Sequence, residues 1–138
     1  MSQDNCTLVR RFFDEVWNQR RAETIEELLA GESVCHADEG PLHGPQEFHD
    51  RQFVPMLAAF PDVRVEIDAI VAQEDQVVVR WSARGRHTGD GLGFPPTHEP
   101  ASFRGVSWIH CRDGKMIEGW QCSNIPEVIR GLAAKVPV

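Results

Sequence analysis

The chain has 138 residues, 41% of them hydrophobic, with a formal charge of −7 and a pI near 5.3. That length suits one domain able to bury roughly two-thirds of its unfolded surface. The acidic balance argues against nucleic acid and anionic membrane as partners, since nothing basic longer than Arg10-Arg11 or Arg20-Arg21 offsets it.

Residues 5–20 carry Val9, Phe12, Phe13, Val16 and Trp17 on one helical face. A second short helix is expected from Thr24 to Ala30, with Gly31 as its stop. A third opens at Gly44-Pro45, where proline suits the first helical position. Its stripe is Phe53, Met56, Leu57 and Phe60; Pro55 is expected to bend it and Pro61 to end it.

Four strands follow. Residues 63–72 alternate, with Val63, Val65, Ile67, Ala69 and Val71 on one face. Residues 76–88 set Val77, Val79, Trp81 and Ala83 opposite Arg80, Ser82 and Arg84, and His87 is in phase with the apolar side. Residues 101–111 and 115–124 form a hairpin, and a last helix runs from Pro126 to Ala134. Helices first and an antiparallel meander after read as an α+β fold. Read as a three-residue loop, Arg112-Asp113-Gly114 pairs Ser107 with Gly119 and puts Ser107 and Gln121 on one face. A two-residue turn would put them on opposite faces.

The four cysteines (Cys6, Cys35, Cys111, Cys122) have no CxxC spacing. With no secretory leader pattern and no apolar run of about eighteen residues, a reduced cytoplasmic protein with free thiols is expected. His43, His49 and His110 lack metal-ligand spacing, so no metal is expected. Gly89-Asp90-Gly91-Leu92-Gly93 lies between strands and is no nucleotide fingerprint. Without any tyrosine, a phenol oxyanion donor is impossible.

Gly85-Arg86-His87-Thr88-Gly89, followed by Gly93-Phe94-Pro95-Pro96-Thr97, ends a β-branched strand and precedes the hairpin. Together with Val16-Trp17-Asn18-Gln19, His43-Gly44-Pro45, Phe48, Phe60-Pro61-Asp62 and Asp113-Gly114-Lys115, this order resembles the SnoaL-like polyketide cyclases. The resemblance covers nearly the whole chain and implies a single SnoaL-like domain over 1–138. It implies a nuclear-transport-factor-2-like cone, helices packed on a curved sheet around one apolar pocket. The family's acid/base aspartate, a few residues after Asp-Gly-Lys, falls on Gln121; its assisting histidine falls on Ser107, and a later carboxylate on Asn124. Glutamine can orient a carbonyl but takes no proton near neutral pH.

His87 on its strand and His36 beside the pocket mouth are then the candidate general bases, with Gln121 as a polar partner. Each histidine is also explained as a hydrogen-bonded core or rim residue. Asp38 and Glu39 orient His36 or form a solvated loop, the loop being favoured. Phe12, Phe13, Trp17, Phe53, Phe60, Trp81, Ser107 and Asn124 are the candidate substrate contacts. The implied function is a cofactor-independent enzyme acting on a lipophilic, polyketide-like carbonyl compound in antibiotic biosynthesis. The alternatives are a non-catalytic small-molecule binding protein, or a hydroxylase-type relative, since some relatives lacking the pair are regarded as hydroxylases. Alternation sends Val106, Trp108, Trp120 and Cys122 to the sheet's other face, and a homodimer through that face is expected.

Overall fold

The computed structural model describes residues 2–137. Helix α1 (Ser2–Phe12) runs without a break into a wider π-wound segment, Phe13–Asn18. The expected stripe is buried there, Val9 and Val16 completely. The chain then reverses at Arg20, whose φ of 58° is unusual for a non-glycine residue. Its guanidinium explains why that strain is tolerated: it donates to the carbonyls of Trp17, Asn18, Pro61 and Val63. Beside it, the Asn18 amide donates to the Val65 carbonyl at 2.9 Å and accepts from the Val65 N–H at 2.7 Å. The Trp17-Asn18-Gln19 and Phe60-Pro61-Asp62 stretches, far apart in sequence, are thereby tied together.

Helix α2 (Ala22–Leu28) stops three residues before Gly31, and strand β1 (Leu29–Ala37) begins at once. Strand β2 (Gly40–His43) leads into α3 (Gly44–Phe48), a second π-wound stretch (His49–Phe53) and α4 (Val54–Ala59). Pro55 has no N–H to give to the turn before it, and the wider winding just ahead of it accommodates the loss. Strands β3 (Arg64–Gln73), β4 (Gln76–Arg86), β5 (Pro100–Arg112) and β6 (Lys115–Ser123) follow, then α5 (Ile125–Ala133). The six strands make one sheet in the order β2-β1-β6-β5-β4-β3. It is mixed: β1 runs parallel to β6, and the other neighbours are antiparallel.

Two bulges correct the expected faces. The β5–β6 turn is a two-residue one, Asp113-Gly114, with φ of 52° and 76° and Arg112 paired to Lys115. Positive φ at both residues is the type I′ geometry that matches strand twist. Taken alone, that turn would have set Ser107 and Gln121 on opposite faces. A bulge at Ile117, between the pairs Cys111–Met116 and His110–Glu118, restores the parity, and Ser107 becomes the direct partner of Gln121. In β3 the reverse happens. The register slips between Ile67 and Ala69, so Ile70 and Ala72 turn inward while Val71 is left 65% exposed.

The glycine-rich connection from β4 to β5 lies flat on α4. A Cβ on Gly89 would come within 1.7 Å of the Ala58 carbonyl oxygen, and one on Gly91 within 2.2 Å of the Pro55 oxygen. The Thr88 and Gly89 N–H groups both donate to the Ala59 carbonyl, which caps the helix end. Gly114 differs: its φ is positive but nothing lies near its missing Cβ. Gly89→Ala should therefore cost more than about 2 kcal/mol, because helix or loop must move. Gly114→Ala should cost only the left-handed penalty of about 1–2 kcal/mol. Urea denaturation of the two variants tests the ranking; equal midpoints would contradict it.

Candidate functional site

Between the helical layer and the concave face of the sheet is a cavity of about 100 Å³. Its walls are mostly apolar: Phe12, Phe13 and Trp17 from the first helix, and Trp81, Phe103 and Ile109 from the sheet. Gln52, Met56, Met116 and Ile125 also reach it, none of them anticipated from the sequence. The polar end is built by neighbouring strands. Ser107, only 7% exposed, accepts a hydrogen bond at 3.1 Å from the Trp81 indole N–H. Gly105 leaves room for that indole, since a Cβ there would approach Trp81 to 2.5 Å. With its lone pair engaged, the Ser107 hydroxyl keeps its proton free to donate.

Gln121, beside Ser107, also lines the cavity. Its Nε2 donates at 2.9 Å to Asp38, just past the end of β1. The same carboxylate accepts from the Ser123 N–H at 2.9 Å and the Ser123 hydroxyl at 2.5 Å. Asp38 thus clasps the end of β1 to β6 and is not the solvated loop residue favoured from sequence. Its role follows from the parallel β1–β6 pairing, a contact between segments more than eighty residues apart that no local pattern announces.

The two histidines lie outside the cavity lining. His87 has none of its surface exposed and is wedged between Phe60 and Phe94, ring centroids 5.6 and 5.3 Å away. The Thr97 N–H donates to its Nδ1 at 3.1 Å, so the proton of the neutral ring sits on Nε2. That Nε2 has no hydrogen-bond partner. His87 follows the inward phase of β4, as expected, but it meets the end of α4 and the glycine loop, not open space. Burial first, and His98 second, hold its pKa below the ordinary histidine value, with the Gly89 main chain acting the other way. His36 sits on β1 opposite Trp120, stacked on that indole at 5.2 Å and 13°, with Nε2 2.8 Å from Glu118. Its neighbour Cys35 is the residue that turns to the cavity.

Phe53 and Phe60 form the layer behind the lining, Phe53 against Trp17 and Phe60 edge-on to Phe103. Asn124 exchanges hydrogen bonds with the Arg104 main chain and extends the β5–β6 pairing. Cys35 is no ready nucleophile: burial, then Asp38, push its thiol up to about 11. Among the described residues, no cluster of His, Cys, Asp and Glu could hold a metal, and no helix is long and apolar enough to cross a membrane.

The sequence profile of the SnoaL-like polyketide cyclases matches residues 7–132. The chain belongs to that family. The solved structures agree on the nuclear-transport-factor-2-like fold. A candidate SnoaL-like polyketide cyclase from Jannaschia sp. CCS1 superposes with a TM-score of 0.86 at 21% identity, over 100% of this chain and 96% of that one. AclR, a candidate hydroxylase from Streptomyces galilaeus, gives 0.82 at 24%, over 100% and 89%. IdmH, a candidate polyketide cyclase from Streptomyces antibioticus, gives 0.77 at 26%, over 94% and 98%. No curated protein matches the chain.

In this SnoaL-like chain the buried His87 makes stability depend on pH. Its folded pKa lies below the unfolded value of about 6.5. The unfolded chain therefore takes up a proton first as pH falls, and the stability present above that value is lost below it. Urea midpoints at pH 7.5 and 5.5 should differ more for the parent chain than for His87→Gln. An equal or larger drop in the variant would remove His87 as the cause.

Proposed function

We propose that this SnoaL-like protein is a cofactor-independent enzyme acting on a lipophilic, polyketide-like carbonyl compound. In this reading it holds and polarises its substrate instead of exchanging protons through the family's strand pair. The observation that carries the proposal is the pairing of Ser107 and Gln121 at the polar end of an otherwise apolar cavity. The Ser107 hydroxyl can donate to a carbonyl oxygen, and the Gln121 amide, whose nitrogen is bonded to Asp38, can accept from a hydroxyl or enol of the same ligand. The Ser107 donor stabilises charge developing on that carbonyl oxygen without titrating. Aromatic walls suit a flat, hydrophobic body. The free thiols suit a reducing cytoplasm.

Ser107→Ala should lower turnover of a polyketide-like ketone on the order of a hundredfold in a chain that circular dichroism shows to be folded. Gln121→Asp with Ser107→His should bring in aldol-type cyclisation. A binding protein is the second reading, favoured because neither residue can take a proton. Tight binding of the ketone with no turnover, metal or flavin added or not, would establish it. Product formed only with oxygen consumption would move the reaction to the hydroxylase type.

The partner proposed for the outer face is a second copy of this chain. Strand pairing lines up His36, Trp120, Trp108, Val78 and Val71 as one row across five strands. Trp108 and Trp120 stay 50% and 45% exposed, while α5 buries Leu132 elsewhere, so the terminal helix does not cover them. A self-complementary apolar row suits a two-fold dimer. Sedimentation should give twice the chain mass at micromolar concentration, and Trp108→Glu should halve it. A parent chain that sediments as a monomer would end this proposal.

A further inference from the structure

We infer that Asp38 is a positioning residue that fixes which end of the Gln121 amide meets the ligand, and that it thereby selects for ligands presenting a hydroxyl or enol. The inference rests on the reading of the cavity as a ligand site. An ionised carboxylate only accepts hydrogen bonds, so the side of the Gln121 amide that faces Asp38 at 2.9 Å must be its nitrogen. The carboxylate cannot swing away, because it is held by both the N–H and the hydroxyl of Ser123. Ser123 is in turn fixed as the last residue of β6, directly paired with Gly105. With the nitrogen anchored, the carbonyl oxygen Oε1 has no partner among the described residues and is left for the cavity that Gln121 lines.

The neighbouring Ser107 offers the complementary half. Its oxygen is already taken by the Trp81 indole, which leaves the hydroxyl proton. The polar end of the cavity thus shows one acceptor and one donor side by side, on directly paired residues. A group that donates and accepts at once, such as a phenol or the enol of a 1,3-diketone, satisfies both. An ether or simple ester satisfies only Ser107 and covers the Gln121 oxygen without giving it a donor, which is unfavourable. Had the residue at 38 been a donor, the amide would turn over and show its –NH₂ instead. The selectivity therefore originates in a side chain that does not line the cavity.

The test uses the whole chain with p-cresol and its methyl ether, 4-methylanisole, as probes, followed by quenching of tryptophan fluorescence. The parent chain should bind the cresol about three- to tenfold tighter than the ether, the worth of one net hydrogen bond. Asp38→Asn can donate to Oε1 and turn the amide, so this preference should vanish or reverse. In Asp38→Asn with Gln121→Glu, the new amide donates to the new carboxylate, an acceptor oxygen faces the cavity again, and the preference should return. A role for Asp38 limited to clasping two strands predicts no such rescue. A folded Asp38→Asn chain that keeps the parent preference overturns the inference. A parent chain that binds neither probe instead overturns the ligand-site reading itself. If Asp38→Asn does not fold, proton NMR of the parent chain decides. One Gln121 amide proton should be protected from solvent exchange by its bond to Asp38, and two rapidly exchanging protons would refute the clamp.

Discussion

The cavity wall and the outer face of the sheet both depend on the parity of strand residues. A side chain in a β-strand faces the side opposite to its neighbours', so one inserted residue exchanges the roles of everything beyond it. In β6 that insertion is Ile117. Without it, the Asp113-Gly114 turn would direct Gln121 away from Ser107, and a carboxylate anchored at Asp38 would have no amide to hold. It would equally have broken the outer row that Trp120 forms with Trp108 and His36. Cavity and outer surface are thus two consequences of one bulge. The β3 bulge acts likewise: it brings Ile70 and Ala72 to the core and leaves Val71 to the outer row.

The residues that carry the family resemblance do mainly structural work here. Gly89 and Gly91 allow a loop to lie on α4 at a distance no side chain would permit. Asp62 accepts from the Arg86 N–H beside Gly85, where a Cβ would meet both Asp62 and Phe60. His87 fills the space between Phe60 and Phe94 and holds the returning strand through Thr97. Its unpartnered nitrogen carries a desolvation cost of about 1–3 kcal/mol. That cost is sustained because the ring joins helix end, loop and strand at a single point.

How much was legible in the sequence follows from which interactions are local. The helix stripe over Val9–Trp17, the alternation of β4 and the fold class come from short-range periodicity, and all stand. The turn has a readable signal, since Asp-Gly between apolar runs favours a two-residue type I′ loop over the three-residue one. Bulges have no comparable signature: nothing about Ile117 or Asp68 in isolation marks an unpaired residue. Strand β1 is legible only in part, as a short extended segment at Val34-Cys35 before His36. Its partners are β2 and β6, and the parallel pairing with β6 links segments with some eighty residues between them. From sequence Asp38 reads as a solvated loop residue in preference to a partner of His36, and its bonds to Gln121 and Ser123 exist only through that pairing.

The consequence for chemistry lies in which groups the strand faces present. A carboxylate and an imidazole facing a cavity form a site that moves protons. An amide and a hydroxyl in those places form one that orients and polarises. In this chain a carboxylate is still present next to residue 121, but its oxygens are used on Gln121 and Ser123. Asp38 itself is not part of the cavity wall. On the proposed reading it acts through the direction of the Gln121 amide dipole, an effect set by the geometry of their 2.9 Å hydrogen bond.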